Sequence, residues 1–205
     1  MKLSEFARTT GATTATLKFW MREGVLPAGE LRNQTTAVYG QRHLDRVALI
    51  QTLRAEFDMP IAGIRDLTAL IDRTDVVPLD VMEACQVIAT GLAVGEAHDE
   101  YAELIGELHD RVGWIRFDSL AAGVLANALA ASARVGYPYR LEVLEQYARM
   151  LDPIAEADLG AIHPEGTLDV MARNLLVAAA AQNRVLVAMN QLAHTAAAVR
   201  LATRP

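Results

Sequence analysis

Residues 3–22 read LSEFARTTGATTATLKFWMR, and the fold of the chain turns on them. Ala7 stands four residues before Gly11, and Leu17 follows Gly11 by six. That spacing predicts a helix, a tight turn and a second helix. A small residue at 7 lets two helices approach. A glycine at 11 permits the left-handed backbone of the turn. Leu17 anchors the second helix, with Phe6, Thr10, Ala12 and Trp20 at the other inward positions. Thr13 is placed to cap that helix through a backbone N–H. In a helix-turn-helix the second helix enters the major groove and offers its first residues to base edges. Here those residues are Thr13, Thr14, Ala15 and Thr16. Two surface helices joined by a glycine turn would share the same small residue and glycine, so spacing alone leaves both readings open.

Downstream, Glu23-Gly24 ends the helix and Val25-Leu26-Pro27 begins an extended stretch. Residues 27–39, PAGELRNQTTAVY, carry polar turn formers between Leu31 and Ala37-Val38-Tyr39, the pattern of a small two-stranded wing. Its tip is Arg32, Asn33, Gln34, Thr35 and Thr36, rich in donors that suit a phosphate or a groove. A polar loop would read alike in isolation. Residues 41–57 predict an amphipathic helix with Leu44, Val47, Ala48, Ile50, Leu53 and Ala55 inward. Arg42, Arg46 and Arg54 are left for solvent or backbone phosphate. Asp58-Met59-Pro60 breaks the chain, and Pro60 suits the first turn of a helix reaching about Asp72. Its stripe is Ile61, Ile64, Leu67, Leu70 and Ile71.

Taken together, residues 1–72 resemble the DNA-binding domain of the MerR family of bacterial transcription regulators. LSEFARTTG is similar to that family's first helix and turn, and TTATLKFWMREGVLP to its recognition helix with the Glu-Gly-x-Leu-Pro exit. Tyr39 precedes a helix, RHLDRVALIQTLR, and MPIAGIRDL resembles the short fourth helix. The resemblance implies contacts to promoter DNA from Thr13, Thr14, Ala15, Thr16, Lys18, Phe19, Trp20, Arg22, Arg32, Asn33, Gln34, Thr35, Tyr39 and Arg42. It also implies a homodimer. The departures are specific. Lys18-Phe19-Trp20 stands where the family usually has Arg-Tyr-Tyr; lysine keeps the charge without the guanidinium fork, and Trp20 keeps a donor for phosphate. Ala15 occupies a base-reading position that is often basic, and its methyl suits a thymine methyl. Val38 stands where an arginine is common near the wing tyrosine, leaving Arg32 to act from elsewhere on the hairpin.

Residues 76–205 predict an all-α bundle. Helices are expected over 78–94, 96–112, 118–135 and 139–161, with Gly136-Tyr137-Pro138 as a breaker. Leu141, Leu144, Tyr147, Ala148, Leu151 and Ile154 form the apolar set of the fourth. In the last segment Leu168, Met171, Leu175, Ala178, Gln182, Val185, Met189, Leu192, Ala196 and Val199 keep an unbroken 3-4 alternation. Such a seam suits pairing with a second helix, and a polar residue helps fix register. It serves equally as packing inside the protein's own bundle, which a break near Asn183 would favour. The family pattern offers residues 78–94 or 96–112 as dimer helix instead. Tyr101, Trp114, Phe117, Tyr137, Tyr139 and Tyr147 concentrate in this region and are the candidate lining of a small organic effector site.

Charge is segregated. The whole chain of 205 residues carries −6, yet residues 1–54 hold eight Lys/Arg against four Asp/Glu, while 74–205 hold nine against seventeen. The basic excess lies with the helix-turn-helix, and phosphate would repel the acidic remainder. With 52% apolar residues the chain is globular. It has no bilayer-length apolar run and no signal-peptide pattern, so a cytoplasmic protein with no membrane partner is expected. Cys85 is the single cysteine, which rules out an internal disulfide or a multi-cysteine metal site and suits a buried small hydrophobe. His98 and His109, eleven apart, are too distant to share a metal and are expected to face solvent or cap. Glu142-Glu145 and Asp152-Glu156-Asp158 read as solvated faces. No phosphate loop, nucleophile elbow or metal-spaced cluster points to an enzyme, and no cofactor is expected. The expected class is mainly α: a winged helix-turn-helix over 1–73, then a helical dimerisation or effector-binding domain over 76–205. A ligand-free regulator, whose second domain only dimerises or binds a protein, is the alternative.

Overall fold

A computed structural model describes residues 1–33, 36–92, 99–117, 119–160 and 166–203. The chain opens with α1 (Leu3–Thr10) and α2 (Thr14–Arg22), followed by β1 (Glu30–Asn33) and β2 (Thr36–Val38). Then come α3 (Gln41–Glu56), α4 (Ile61–Ile71), α5 (Pro78–Thr90), α6 (Asp99–Val112), α7 (Leu120–Arg134), α8 (Leu141–Gly160) and α9 (Leu168–Ala202). The strands pair antiparallel, Glu30 with Val38 and Leu31 with Ala37, and the register slips between Leu31 and Asn33. A winged helix-turn-helix followed by helices is therefore the fold.

Local chemistry explains the first elements. Gly11 ends α1 at φ 68°, in the left-handed region that a side chain would strain. Thr13 caps α2 by accepting from the Thr16 N–H at 3.0 Å. Phe6 and Leu17 are fully buried between the helices, with Ala7 closing the approach. After α2, the N–H groups of Val25 and Leu26 both donate to the Trp20 carbonyl, turning two buried side chains under the motif.

Contacts divide the chain into two compact units, Met1–Thr90 with Gly166–Pro205, and Gly91–Glu165. A boundary drawn in sequence order at 73–76 differs from this grouping, because α5 and α9 pack along each other and α9 also packs on α3. In the first unit α9 enters with Asp169, Met171, Ala172, Leu175, Leu176, Ala179 and Ala180 buried. Cys85 of α5 lies against it; its thiol donates to the Ala172 carbonyl at 3.6 Å, and burial pushes its pKa up to about 12.

Arg46 corrects an expectation. It is 1% exposed and unavailable to phosphate. Its guanidinium holds Asp72 in a two-pronged contact, at 2.9 and 2.8 Å, and Asp169 at 2.5 Å. The face of α3 that carries Arg46 is the one that α9 covers, so the side chain meets carboxylates instead of water. Burial works against its charge, but the bonds to Asp72 and Asp169 outweigh that and hold it above the usual range. Burial also pushes Asp72 up; there the Arg46 and Arg42 contacts win and its pKa lies below the usual value. At Asp169 burial wins, and its carboxyl is raised. Thr167 caps α9 toward Val170 and donates to Asp45 of α3 at 3.0 Å. On α3, Ala55 is exposed, while His43 and Leu49 are buried in addition to the expected stripe.

The second unit is built on Leu108 of α6, Leu129 of α7, and Leu141, Leu144 and Ala148 of α8. Tyr101, Leu104, Val112, Trp114 and Leu125 pack against that cluster. Tyr147, Leu151 and Ile154 were expected inside but stand exposed, since α6 meets only one side of α8. His109 was expected outside but is buried, edge-on to Trp114 at 5.8 Å. Trp114 Nε1 donates to Asp152 at 2.7 Å, so that carboxylate is part of the packing and not only a solvated face. α5 stops at Thr90, where Gly91 takes φ 65°, earlier than the expected end; Val94, Gly95 and His98 lie outside the described residues. No helix among the described residues is long and apolar enough to cross a membrane.

Arg46→Ala should destabilise the protein by about 3–5 kcal/mol, because it leaves Asp169 buried without a cation. Chemical denaturation measures this, and Arg46→Met with Asp169→Leu should recover most of the loss. Cys85 should resist a thiol reagent at pH 8 until the protein is unfolded, since only thiolate reacts.

Candidate nucleic-acid interface

One side of α2 is closed and the other open. Leu17 and Trp20 face the core, while Thr14, Ala15, Lys18, Phe19 and Arg22 are exposed and Thr16 is half-buried. At 100° per residue the five exposed positions fall within one face of the helix. They include two cations, a hydroxyl and a methyl. Arg22 lies over the Phe19 ring, its guanidinium carbon 5.5 Å from the centroid, which orients the charge without neutralising it. Thr13 Oγ1 is bonded to the Thr16 N–H and lies 2.9 Å from Thr16 Oγ1. Both hydroxyls therefore serve the helix start first, leaving Thr14 as the unengaged threonine of that turn.

The positive charge is accessible as well as local. Of the eight Lys/Arg in residues 1–54, seven are exposed: Lys2, Arg8, Lys18, Arg22, Arg32, Arg42 and Arg54. Arg46 is the exception. Arg42 keeps an exposed side chain but lies 3.2 Å from Asp72, so part of its charge is already answered. Arg65 of α4 bonds the Glu23 carbonyl at 2.9 Å and its carboxylate at 2.7 Å, fixing the C-terminal end of α2.

Two of the expected contact residues, Trp20 and Tyr39, lie inside the domain. Their rings hold the motif from behind and do not lie on the open face. Tyr39 stacks on Phe6 with centroids 4.8 Å apart and planes 6° from parallel. His43 meets both rings edge-on. Its Nδ1 accepts from the Gly40 N–H at 3.2 Å, which leaves Nε2 to donate to the Ala28 carbonyl at 3.1 Å. This imidazole ties the start of α3 to the entry of the wing. Sequence reasoning passed over it; a histidine three residues after Gly40, at the head of an amphipathic helix, was the available signal. Gly29 is required here, since a Cβ would come within 2.8 Å of the Tyr39 ring. On the wing, Arg32 is exposed and Asn33 ends β1; Gln34 and Thr35 lie outside the described residues.

The six candidate effector residues are scattered in their own unit. Tyr139 and Tyr147 lie 6.3 Å apart and are largely exposed. Phe117 approaches His109 at 5.9 Å, and Trp114 and Tyr101 pack on the apolar cluster. Tyr137 is 75% exposed.

Comparison with known proteins agrees with the geometry of the first unit. Residues 1–70 match the sequence profile of the MerR HTH family regulatory protein. No curated protein matches the chain. Among solved structures, the crystal structure of the provisionally assigned transcriptional regulator SCO5550 from Streptomyces coelicolor A3(2) superposes with a TM-score of 0.62. It covers 98% of this chain and 97% of that one at 24% identity, a likeness of fold. The first seventy residues of this protein are thus similar to the helix-turn-helix region of the MerR family of regulatory proteins.

Proposed function

We propose that the protein is a homodimeric, site-specific transcription regulator that acts by binding promoter DNA and not by catalysis. The observation that carries this reading is the open face of α2: Thr14, Ala15, Lys18 and Arg22 are presented on a helix whose other face is locked in the core. Thr14 and Ala15 stand where base edges would be read, and Lys18, Arg22, Arg32 and Arg42 where phosphates would be gripped. A two-fold dimer offers two such helices to a pseudo-palindrome. Bending or untwisting the intervening promoter costs a few kcal/mol, which a partner of one DNA shape over another could supply or withdraw.

The second unit is the proposed site of such control. Its aromatic residues would line a pocket for a small organic effector in one version. A specific observation favours the other, in which this unit only assembles the protein or binds another protein: Tyr137 and Phe117 stand largely in solvent, and Tyr101 and Trp114 are taken up by packing on the apolar cluster. A thermal-shift screen of the full chain against apolar compounds separates the versions, and the ligand-free version expects no shift.

Sequencing duplex fragments retained by the purified protein should recover one enriched pseudo-palindrome. Failure to retain any duplex in dilute salt would overturn the assignment. Lys18→Ala should weaken binding to all sequences and reduce the slope of log affinity against log salt by about 1. Thr14→Ala should change preference at one base position, by about 1–3 kcal/mol, with little effect on the salt slope.

A further inference from the structure

The 3-4 alternation of the last segment runs unbroken through α9, but its surroundings change halfway. Up to Ala180 α9 lies against α3 and α5, which bury Met171 and Leu175 of the repeat together with Ala172, Leu176 and Ala179 beside it and leave Ala178 exposed. Beyond it Val185, Met189, Leu192 and Val199 continue the repeat and are each more than half exposed. The helix does not break near Asn183; it continues to Ala202 as one element of 35 residues. From Ala181 to the end of α9 at Ala202 there is no acidic residue, and the cations are Arg184 and Arg200 with His194 between them. Counting Val185 as a core position, the flanking positions are Ala181, Leu186, Ala188, Ala193, Thr195 and Arg200. These are mostly small, so a second helix can approach closely.

We propose that the distal half of α9, residues 182–202, pairs antiparallel with the same segment of a second copy of this chain. The proposal rests on the reading that the regulator is a dimer, and it locates the interface. The repeat is self-complementary: with its midpoint between Asn190 and Gln191, Met189 meets Leu192, Val185 meets Ala196, and Gln182 meets Val199. That register sets Arg184 and Arg200 opposite alanines and brings no like charges face to face. The core positions from Gln182 to Val199 and their flanks, about half of the segment, would face the partner, a compact interface below the usual 20–30 residues a side. Antiparallel pairing also opposes the helix dipoles. The proximal half of each helix already carries its winged helix, so antiparallel pairing places the two DNA-binding domains at opposite ends of the seam.

Sedimentation equilibrium on the full chain tests this. The wild type should be a dimer across the micromolar range. Val185→Glu with Leu192→Glu should be a monomer with unchanged helical circular dichroism. Met189→Gln should weaken association at least tenfold. Val187→Glu is the control: Val187 is as exposed as Val185 but points away from the seam, so this variant should remain dimeric. A monomeric wild type overturns the proposal, as does a dimer that survives Val185→Glu with Leu192→Glu. In the latter case the dimeric regulator stands with its interface elsewhere. A wild type that dimerises through α9 yet retains no duplex DNA supports this interface while ending the DNA-binding reading.

Discussion

A single buried cation holds the first unit together. Arg46 projects from α3 into the interior, where it meets one buried carboxylate, Asp169, and one that lies partly in solvent, Asp72. Asp72 comes from the end of α4, and Asp169 from the first turn of α9. Removing a guanidinium from water is expensive, and only satisfied hydrogen bonds on several sides make it tolerable. The Val25 carbonyl, 3.4 Å from Nη1, completes the set and belongs to the turn that leaves α2. Elements from residues 25, 72 and 169 are thus brought to one charge. A hydrophobic residue at 46 would pack well without specifying which carboxylate, or which helix, must arrive.

That constraint gives α9 a particular position. Its first turn is fixed by Asp169 and by Thr167 on Asp45, and the stretch that follows is closed by Met171, Ala172, Leu175 and Leu176, with Cys85 of α5 against it. A rigid helix fixed at one end extends the frame of the winged helix by about 1.5 Å per residue. Any surface on its distal half therefore moves with the recognition helix. A contact made along that half of α9 would bear on the same frame that holds α2.

The α2 helix is built by the same division of labour. Phe6, Tyr39 and His43 form a stacked and edge-on trio behind it, Leu17 and Trp20 close its inner face, and Arg65 pins its end through Glu23. What remains outside is short, polar or positively charged. Rigid support matters for reading bases, because a side chain displaced by an ångström loses its hydrogen-bond geometry. It also explains why two aromatic residues from the motif are inward. An indole and a phenol have too much apolar area to leave in water when the space between α1, α2 and the wing needs filling.

Local signals in the chain were sufficient for the winged helix-turn-helix. Gly11, Thr13 and the Ala7–Leu17 spacing act within a few residues of one another, so they are visible without the fold. The open face of α2 was also legible, since periodicity alone assigns Lys18 and Arg22 outward. Trp20 was read inward from its spacing, but the roles of Arg46, Tyr39 and His43 were not legible, because each depends on what arrives from elsewhere. An arginine on an amphipathic helix reads as solvated until a carboxylate 123 residues away is known to meet it. The last helix makes the same point in reverse. Its alternation is uniform from Leu168 to Val199, and sequence assigns one character to all of it. Only tertiary structure separates the half that is covered by α3 and α5 from the half that is not, because burial belongs to the neighbours of a residue and not to its type.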